Sequence, residues 1–391
     1  MKTCVALRAT FLSVALVSLF STNQSCTHAQ SAKSLNTDLA SQKGHTTGRW
    51  KDLGTLATDD PVKLSLTENH VYALSGQTLY GRTPGDNERN AWNEIETFEY
   101  ELNDIYTVSG SPDTIILTLK DAFETLPLRI SHDGGKSWAA YGSEFTDQPE
   151  KFGLEYEVPK QFFREDSGKL YASLSGLNTV VSTDLGRTWT YALGRQPEGA
   201  CPGGESRTIT LPAHPGVIFK SQDCPLKDST VASVSTVPTE QKLEKLIDES
   251  FLGQKTPKTL AASASLPDTL FVGVDDGIVR YDVKERKSDW LMKASSEQEW
   301  SGYLTQIWVD PSQPDHIVVS GYPRDSKLEF LLFESKDNGK TFESLRSPSD
   351  PKGLAQSSGS ATFGNHLVIS AREEENKPRI WLFDLKSNSF N

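Results

Sequence analysis

Ser131-His132-Asp133-Gly134-Gly135-Lys136-Ser137-Trp138, Ser182-Thr183-Asp184-Leu185-Gly186-Arg187-Thr188-Trp189 and Ser335-Lys336-Asp337-Asn338-Gly339-Lys340-Thr341-Phe342 are three copies of one pattern. Each reads Ser-x-Asp-x-Gly-x-(Ser/Thr)-aromatic. This is the composition of a tight turn between two strands. Gly135, Gly186 and Gly339 supply a positive φ without steric cost. Asp133, Asp184 and Asp337 are placed to accept backbone N–H groups two or three residues on. Ser131, Ser182 and Ser335 hold the other side of the turn with a hydroxyl. Trp138, Trp189 and Phe342 open the next strand and wedge between neighbouring sheets. Nothing in the pattern calls for a substrate, so these residues are assigned structural work.

The pattern resembles the Asp box, or BNR repeat, of sialidases, sortilin-type receptors, xyloglucanases and photosystem II assembly factors. That resemblance implies a β-propeller. It implies no single function, because the box serves several unrelated ones.

The spacing gives the number of blades. Asp133 and Asp184 are 51 positions apart, and Asp337 lies 153 further on, three times the same interval. Two degenerate units therefore fit between the second and third boxes. A fixed period of this size marks propeller blades of four strands. Outer strands are expected near 50, 92, 138, 189, 240, 290 and 342, which makes seven blades. The strand at Gly48-Arg49-Trp50-Lys51-Asp52-Leu53 has no unit before it, so it is expected to close the ring by completing the C-terminal blade. One apolar, β-branched run falls in each unit. These runs are Val71–Leu74, Thr114–Leu119, Leu170–Leu174, Val217–Phe219, Thr269–Val274, His316–Ser320 and His366–Ser370, expected as the second strands. One departure from an all-β chain is expected: Leu243, Leu246, Ile247 and Phe251 recur at three- and four-residue spacing, which predicts a short amphipathic helix near 240–252.

The N-terminus reads as a secretory leader. Lys2 precedes an apolar stretch from Val5 to Phe20, and Thr27-His28-Ala29 offers a cleavage site, giving a signal peptide over 1–29, a flexible linker over 30–47 and the propeller over 48–391. The mature chain is expected to be secreted or periplasmic. Anchoring as a lipoprotein through Cys26 is the less favoured alternative, because Asn23-Gln24-Ser25 fits the lipidation pattern poorly. No other segment is apolar enough to span a membrane. Cys201 and Cys224 remain after processing, and an oxidising compartment favours their pairing as a disulfide worth about 3 kcal/mol.

The chain has 40 basic and 52 acidic residues; losing Lys2 and Arg8 with the leader leaves 38 against 52, a net charge of −14. Nucleic acid and anionic membranes are therefore poor partners. No metal-ligand spacing is visible and no cofactor is expected. An acidic closed ring suits a monomer.

In propellers the loops entering the innermost strand and those joining the second and third strands share one face, opposite the box turns. Candidate binding residues for a protein or carbohydrate ligand on that face are Tyr100, Tyr156, Arg207, Trp300, Tyr303, Tyr322, Arg324 and Arg372, because aromatics and charges on loops suit recognition. The favoured function is a non-enzymatic exported propeller that binds a partner or assists assembly. A sialidase would need an arginine cluster, and Arg207, Arg324 and Arg372 are candidates. However, the usual Phe-Arg-Ile-Pro start is absent, its nearest string being Leu128-Arg129-Ile130-Ser131. A xyloglucanase-like glycosidase uses two carboxylates. Asp275-Asp276-Gly277 faintly resembles strand sequences of those enzymes, which need two propellers around a cleft.

Overall fold

The computed structural model describes residues 49–83, 92–120, 126–147, 158–165, 167–174, 179–192, 206–222, 230–235, 243–247, 249–253, 255–293, 302–323, 331–345, 355–372 and 377–386. The stretches expected as leader and linker, and both Cys201 and Cys224, lie outside these residues.

Seven antiparallel four-stranded sheets form a ring. After β1 (Trp50–Thr55), the first blade holds β2 (Val62–Leu66), β3 (Val71–Ser75), β4 (Thr78–Arg82) and β5 (Asn93–Thr97). The second holds β6 (Leu102–Thr107), β7 (Ile115–Leu119), β8 (Leu128–Ser131) and β9 (Ala139–Tyr141). The third holds β10 (Lys160–Arg164), β11 (Leu170–Ser173), β12 (Thr179–Ser182) and β13 (Thr190–Tyr191). The fourth holds β14 (Ser206–Thr210), β15 (Val217–Gln222), β16 (Thr230–Ser235) and β17 (Leu243–Ile247). The fifth holds β18 (Pro257–Ser263), β19 (Leu266–Val274), β20 (Gly277–Asp282) and β21 (Lys287–Lys293). The sixth holds β22 (Gly302–Val309), β23 (Ile317–Pro323), β24 (Leu331–Ser335) and β25 (Glu343–Ser344). The seventh holds β26 (Ala355–Phe363), β27 (His366–Arg372), β28 (Pro378–Asp384) and, from the other end of the chain, β1.

Burial explains the composition of each strand. A middle strand is covered on both faces by the neighbouring blades, so it shows no alternation: all of β3 and all of β7 are buried. An outer strand meets solvent, and Asn93-Glu94-Ile95-Glu96-Thr97 keeps only Ile95 partly covered. The core is accordingly divided into seven apolar clusters, one at each seam between blades. Among the described residues, the seam between the third and fourth blades buries Tyr171, Ala192, Ile218 and Val234, with Phe163, Val181 and Leu243 partly buried against them. Polar groups share that seam: the ammonium of Lys220, fully buried, donates to Thr179 Oγ1 at 2.7 Å.

The ring closes as the sequence predicts. β1 pairs antiparallel with β28, setting Trp50 opposite Phe383, Lys51 opposite Leu382 and Asp52 opposite Trp381. Asp52 also pairs with the guanidinium of Arg379. Trp50 and Phe383 pack with ring centroids 4.6 Å apart.

The helix expected near 240–252 is corrected. Among the described residues of that stretch, helical backbone is confined to α2, Glu249–Leu252, and Leu243–Ile247 is the outer strand of the fourth blade. Leu243 pairs with Val234, Lys245 with Ala232 and Ile247 with Val231, skipping Leu246. That skipped residue is a bulge, and one extra residue in a strand turns a two-residue period into the three- and four-residue spacing of a helix. Pairing also satisfies the open N–H and C=O groups of β16, which a helix would leave exposed at the edge. A second short helix, α1 (Ser143–Asp147), follows Gly142 and buries Phe145.

The three box motifs fold into one turn each. The Asp133 carboxylate accepts the backbone N–H of Ser137 at 2.9 Å, its hydroxyl at 2.6 Å and the Ser131 hydroxyl at 2.8 Å. Ser131 Oγ accepts the N–H of Gly135 at 2.8 Å. Asp184 repeats the pattern with Thr188 and Ser182, and Asp337 with Thr341 and Ser335. The carboxylate thus reaches the fourth residue on, further than an Asx turn requires. Hydrogen bonds from the Ser137 hydroxyl and N–H hold the Asp133 carboxyl down at about 2. Each box glycine sits against the preceding blade. A Cβ on Gly135 would come 2.9 Å from Ile95, on Gly186 2.9 Å from Ile130, and on Gly339 2.9 Å from Leu291. Trp138 and Trp189 donate their indole N–H to the carbonyls of Gly135 and Gly186 at 3.1 and 3.0 Å.

Candidate functional site

The boxes join third to fourth strands and share their face with the turns between first and second strands: Gly134 N–H donates to Asp113 O and Asn338 N–H to Asp315 O, each at 2.9 Å. The opposite face is the loop face. There each blade presents the start of its innermost strand around the central channel.

Three successive blades place a chemically connected set at these starts. Arg207, Lys258 and Tyr303 are each the second residue of an innermost strand, β14, β18 and β22. Arg207 Nε donates to the carbonyl of Lys258 at 3.0 Å, and the Lys258 ammonium lies 5.5 Å from the centre of the Tyr303 ring. The two-residue turn Asp275–Asp276, between β19 and β20, reaches across to the sixth blade. Asp275 forms an isolated antiparallel bridge with Tyr303. Asp276 N–H donates to Gly302 O at 2.8 Å, and Gly302 N–H donates back to Asp276 Oδ1 at 2.7 Å. Two ion pairs join the turn to the fifth blade: Lys255 Nζ to Asp276 Oδ2 at 3.4 Å and Lys258 Nζ to Asp275 Oδ1 at 4.0 Å.

Glycines make this close approach possible. A Cβ on Gly273 would lie 2.6 Å from the Leu304 carbonyl, and one on Gly321 would collide with the carbonyl of Tyr303. Beside the turn, a Cβ on Gly277 would stand 2.8 Å from Trp290, whose ring stacks on Phe251 at 5.6 Å and carries the Lys293 ammonium at 4.8 Å. Cations, paired carboxylates and aromatic rings thus meet on the described part of this face, over the fourth to sixth blades.

Of the residues singled out in the sequence, Arg207 and Tyr303 are brought together through Lys258. Tyr322 pairs opposite Tyr303 along the backbone, and Arg372 ends β27 opposite Ala355 and Pro378. Tyr156, Trp300 and Arg324 lie outside the described residues. Tyr100 belongs to another part of the face, on the loop between the first two blades. It is 37% exposed, with the Arg129 guanidinium 5.8 Å from its ring centre. Arg129 itself donates to the carbonyls of Leu126 and Leu128 at 2.8 and 3.1 Å, and burial pulls its pKa below the ordinary arginine value. Lys255, Lys258 and Asp276 were not among the sequence-derived candidates. The available signal was Asp-Asp-Gly at an expected second-to-third-strand turn. Among the described residues no group of His, Cys, Asp and Glu is arranged to hold a metal ion, and no helix is long and apolar enough to cross a membrane.

No protein-family model and no curated protein sequence matches the chain. Solved structures resemble it in fold. YCF48 bound to a D1 peptide superposes with a TM-score of 0.55 at 14% identity, over 86% of this chain and 95% of that one. YCF48 from Cyanidioschyzon merolae gives 0.57 at 12% identity, over 86% and 99%. The GH74 xyloglucanase from Xanthomonas campestris gives 0.54 at 12% identity, over 85% of this chain and 55% of that one. At these identities the likeness is one of fold: the chain is a seven-bladed β-propeller.

Proposed function

We propose that this chain is an exported, non-enzymatic β-propeller that binds a segment of a protein partner on its loop face and serves recognition or assembly. The observation that carries the reading is the set formed by Arg207, Lys258 and Tyr303 at three consecutive strand starts. Rigid strands fix these side chains, so little ordering entropy is spent when a ligand arrives. Arginine and tyrosine are also the residue types that dominate interface energetics. One structural neighbour, YCF48, is bound to a D1 peptide, which supports a polypeptide ligand. Two carboxylates on the described part of this face have structural engagements: Asp276 takes a backbone N–H and Lys255, and Asp275 faces Lys258. That arrangement suits a fixed turn better than an acid and a nucleophile poised for glycoside cleavage.

The test pairs binding with turnover. Purified mature protein is screened against an array of peptides, while a fluorogenic sialoside and xyloglucan fragments are assayed in parallel. Peptide binding that Lys258→Ala weakens, with no turnover, supports the reading. Turnover of either glycoside overturns it.

A further inference from the structure

Arg207 is held by one end of its guanidinium, with the fork at the other end unused. Its Nε donates to the Lys258 carbonyl of the next blade at 3.0 Å, which restrains the group. Among the described residues, its two terminal nitrogens have no hydrogen-bond or ion-pair partner. Neither is a buried unpartnered atom, so both keep exposed surface. Other arginines spend a terminal nitrogen within the fold: Arg49 on Glu334, Arg82 on the Leu53 carbonyl, Arg164 on that of Ser109 and Arg280 on Asn338. Arg207 is also partly buried rather than out in solvent. A partly buried cation with no facing carboxylate is unexpected on a chain with 52 acidic and 40 basic residues. A guanidinium fork matches a carboxylate through two parallel N–H···O bonds, and that match is open here.

The neighbouring blade supplies a second group at the same level. Arg207 is the second residue of β14 and Gln161 the second of β10. The two blades meet there through Ser173 Oγ and Thr208 Oγ1, 2.5 Å apart, Ser173 being paired with Lys160. Lys160 pairs with Ser173 and Phe162 with Ala172, so Gln161 is an extra residue bulged out of the ladder. Its φ is 50, a strained, left-handed backbone for a glutamine. Its Oε1 is enclosed without a partner. Nε2 is neither enclosed nor bonded among the described residues, so it is the end of the amide that a ligand reaches. Bulges re-aim side chains beside binding sites, and strained residues gather there.

We propose that Arg207 and Gln161 form a carboxylate-reading subsite on the loop face. The Arg207 fork takes one carboxylate of a bound polypeptide segment, from an acidic side chain or the chain terminus, and Gln161 Nε2 donates to an oxygen of the same segment. This rests on the reading of the loop face as a polypeptide-binding surface and adds the group that is recognised. No hydrogen bond or ion pair of the fork has to break when that carboxylate arrives, and the Lys258 carbonyl has already restrained the guanidinium. The net charge of −12 repels an anionic segment from most of the surface, so the subsite also selects where it lands.

Three fluorescein-labelled peptides titrated into the full chain test this: hexaglutamate with an amidated C-terminus, hexaalanine with a free C-terminus, and hexaalanine amide. One of the first two should bind more tightly than hexaalanine amide, and which one does so identifies the source of the carboxylate. Arg207→Lys keeps the charge and loses the fork. It should weaken that binding about tenfold, with a thermal melt checking that the protein remains folded. Gln161→Gly removes the amide and relieves the left-handed backbone, so it should weaken binding about threefold while melting no lower than wild type. Undiminished binding by Arg207→Lys overturns the proposal, as does the absence of any preference for a carboxylate over hexaalanine amide. A lower melting temperature for Gln161→Gly makes that residue structural and removes it from the subsite. Tighter binding of oligogalacturonate than of either acidic peptide overturns the assignment to a polypeptide. Array peptides that bind but ignore both substitutions sink the carboxylate subsite and leave the broader protein-binding function standing.

Discussion

Arg49 and Glu334 stand 285 positions apart in the chain and 2.9 Å apart in the folded ring, with side chains only 7 and 3% exposed. Arg49 precedes the closing strand, and Glu334 lies on the third strand of the sixth blade. The same guanidinium donates to the carbonyls of Asp384 and Leu385 and stacks 4.3 Å over Phe383. Glu334 in turn contacts His316 Nε2 at 2.8 Å and Lys336 Nζ at 3.2 Å. One ion pair therefore locks the start of the propeller to both of its last two blades.

Breaking that pair should be expensive, because it strands a buried charge. Arg49→Ala is expected to cost about 3 kcal/mol of unfolding free energy. Urea unfolding measures it, and a loss below about 1 kcal/mol would show that the contact is incidental.

The same pair predicts acid sensitivity. Burial works to raise the Glu334 carboxyl, but the His316 hydrogen bond and the Arg49 charge outweigh it and hold the group at about 2, against an ordinary 4.5. A depressed folded value means that the stabilisation is present above the unfolded value and is lost as pH falls from about 4.5 through 2. Glu334→Gln should be less stable than wild type at neutral pH, and the gap should narrow steadily over that interval. Melting temperatures from pH 7 to pH 2 give the comparison.

Deleting residues 50–56 removes the outer strand of the seventh blade and uncovers β28, including Trp381 and Phe383. The expected outcome is loss of the cooperative thermal transition. A truncated protein that melts normally would remove the ring-closure account.

Glycines separate backbone strain from crowding. Gly186 has φ 91 and a would-be Cβ 2.9 Å from Ile130, whereas Gly364 has φ 56 and nothing within 4 Å. Gly364→Ala should cost about 1 kcal/mol from its conformation alone, and Gly186→Ala clearly more, about 2–3 kcal/mol. Equal losses would mean that the box does not press on the preceding blade.

The residues that specify the ring are close together in sequence, and this made the fold legible. Each box closes its turn within eight positions, and the interval of 51 counts blades without reference to packing. Trp50 announced a strand lacking a partner. The fourth blade misled because Leu246 bulges out of β17, so a strand displays helical spacing. The candidate site was legible only in part. Arg207 and Tyr303 stood out by residue type, but Lys258 gains its meaning from neighbours on two other blades. The pairing of Asp275 with Tyr303 exists only because Gly273 and Gly321 let two blades approach.

The most direct test of the proposed function is hydrogen exchange on the full chain, with and without a peptide selected on the array. The account predicts added protection at 255–258, 275–277 and 302–305, with the box turns at 131–138, 182–189 and 335–342 unchanged. Protection confined to the box face or the outer strands would contradict it.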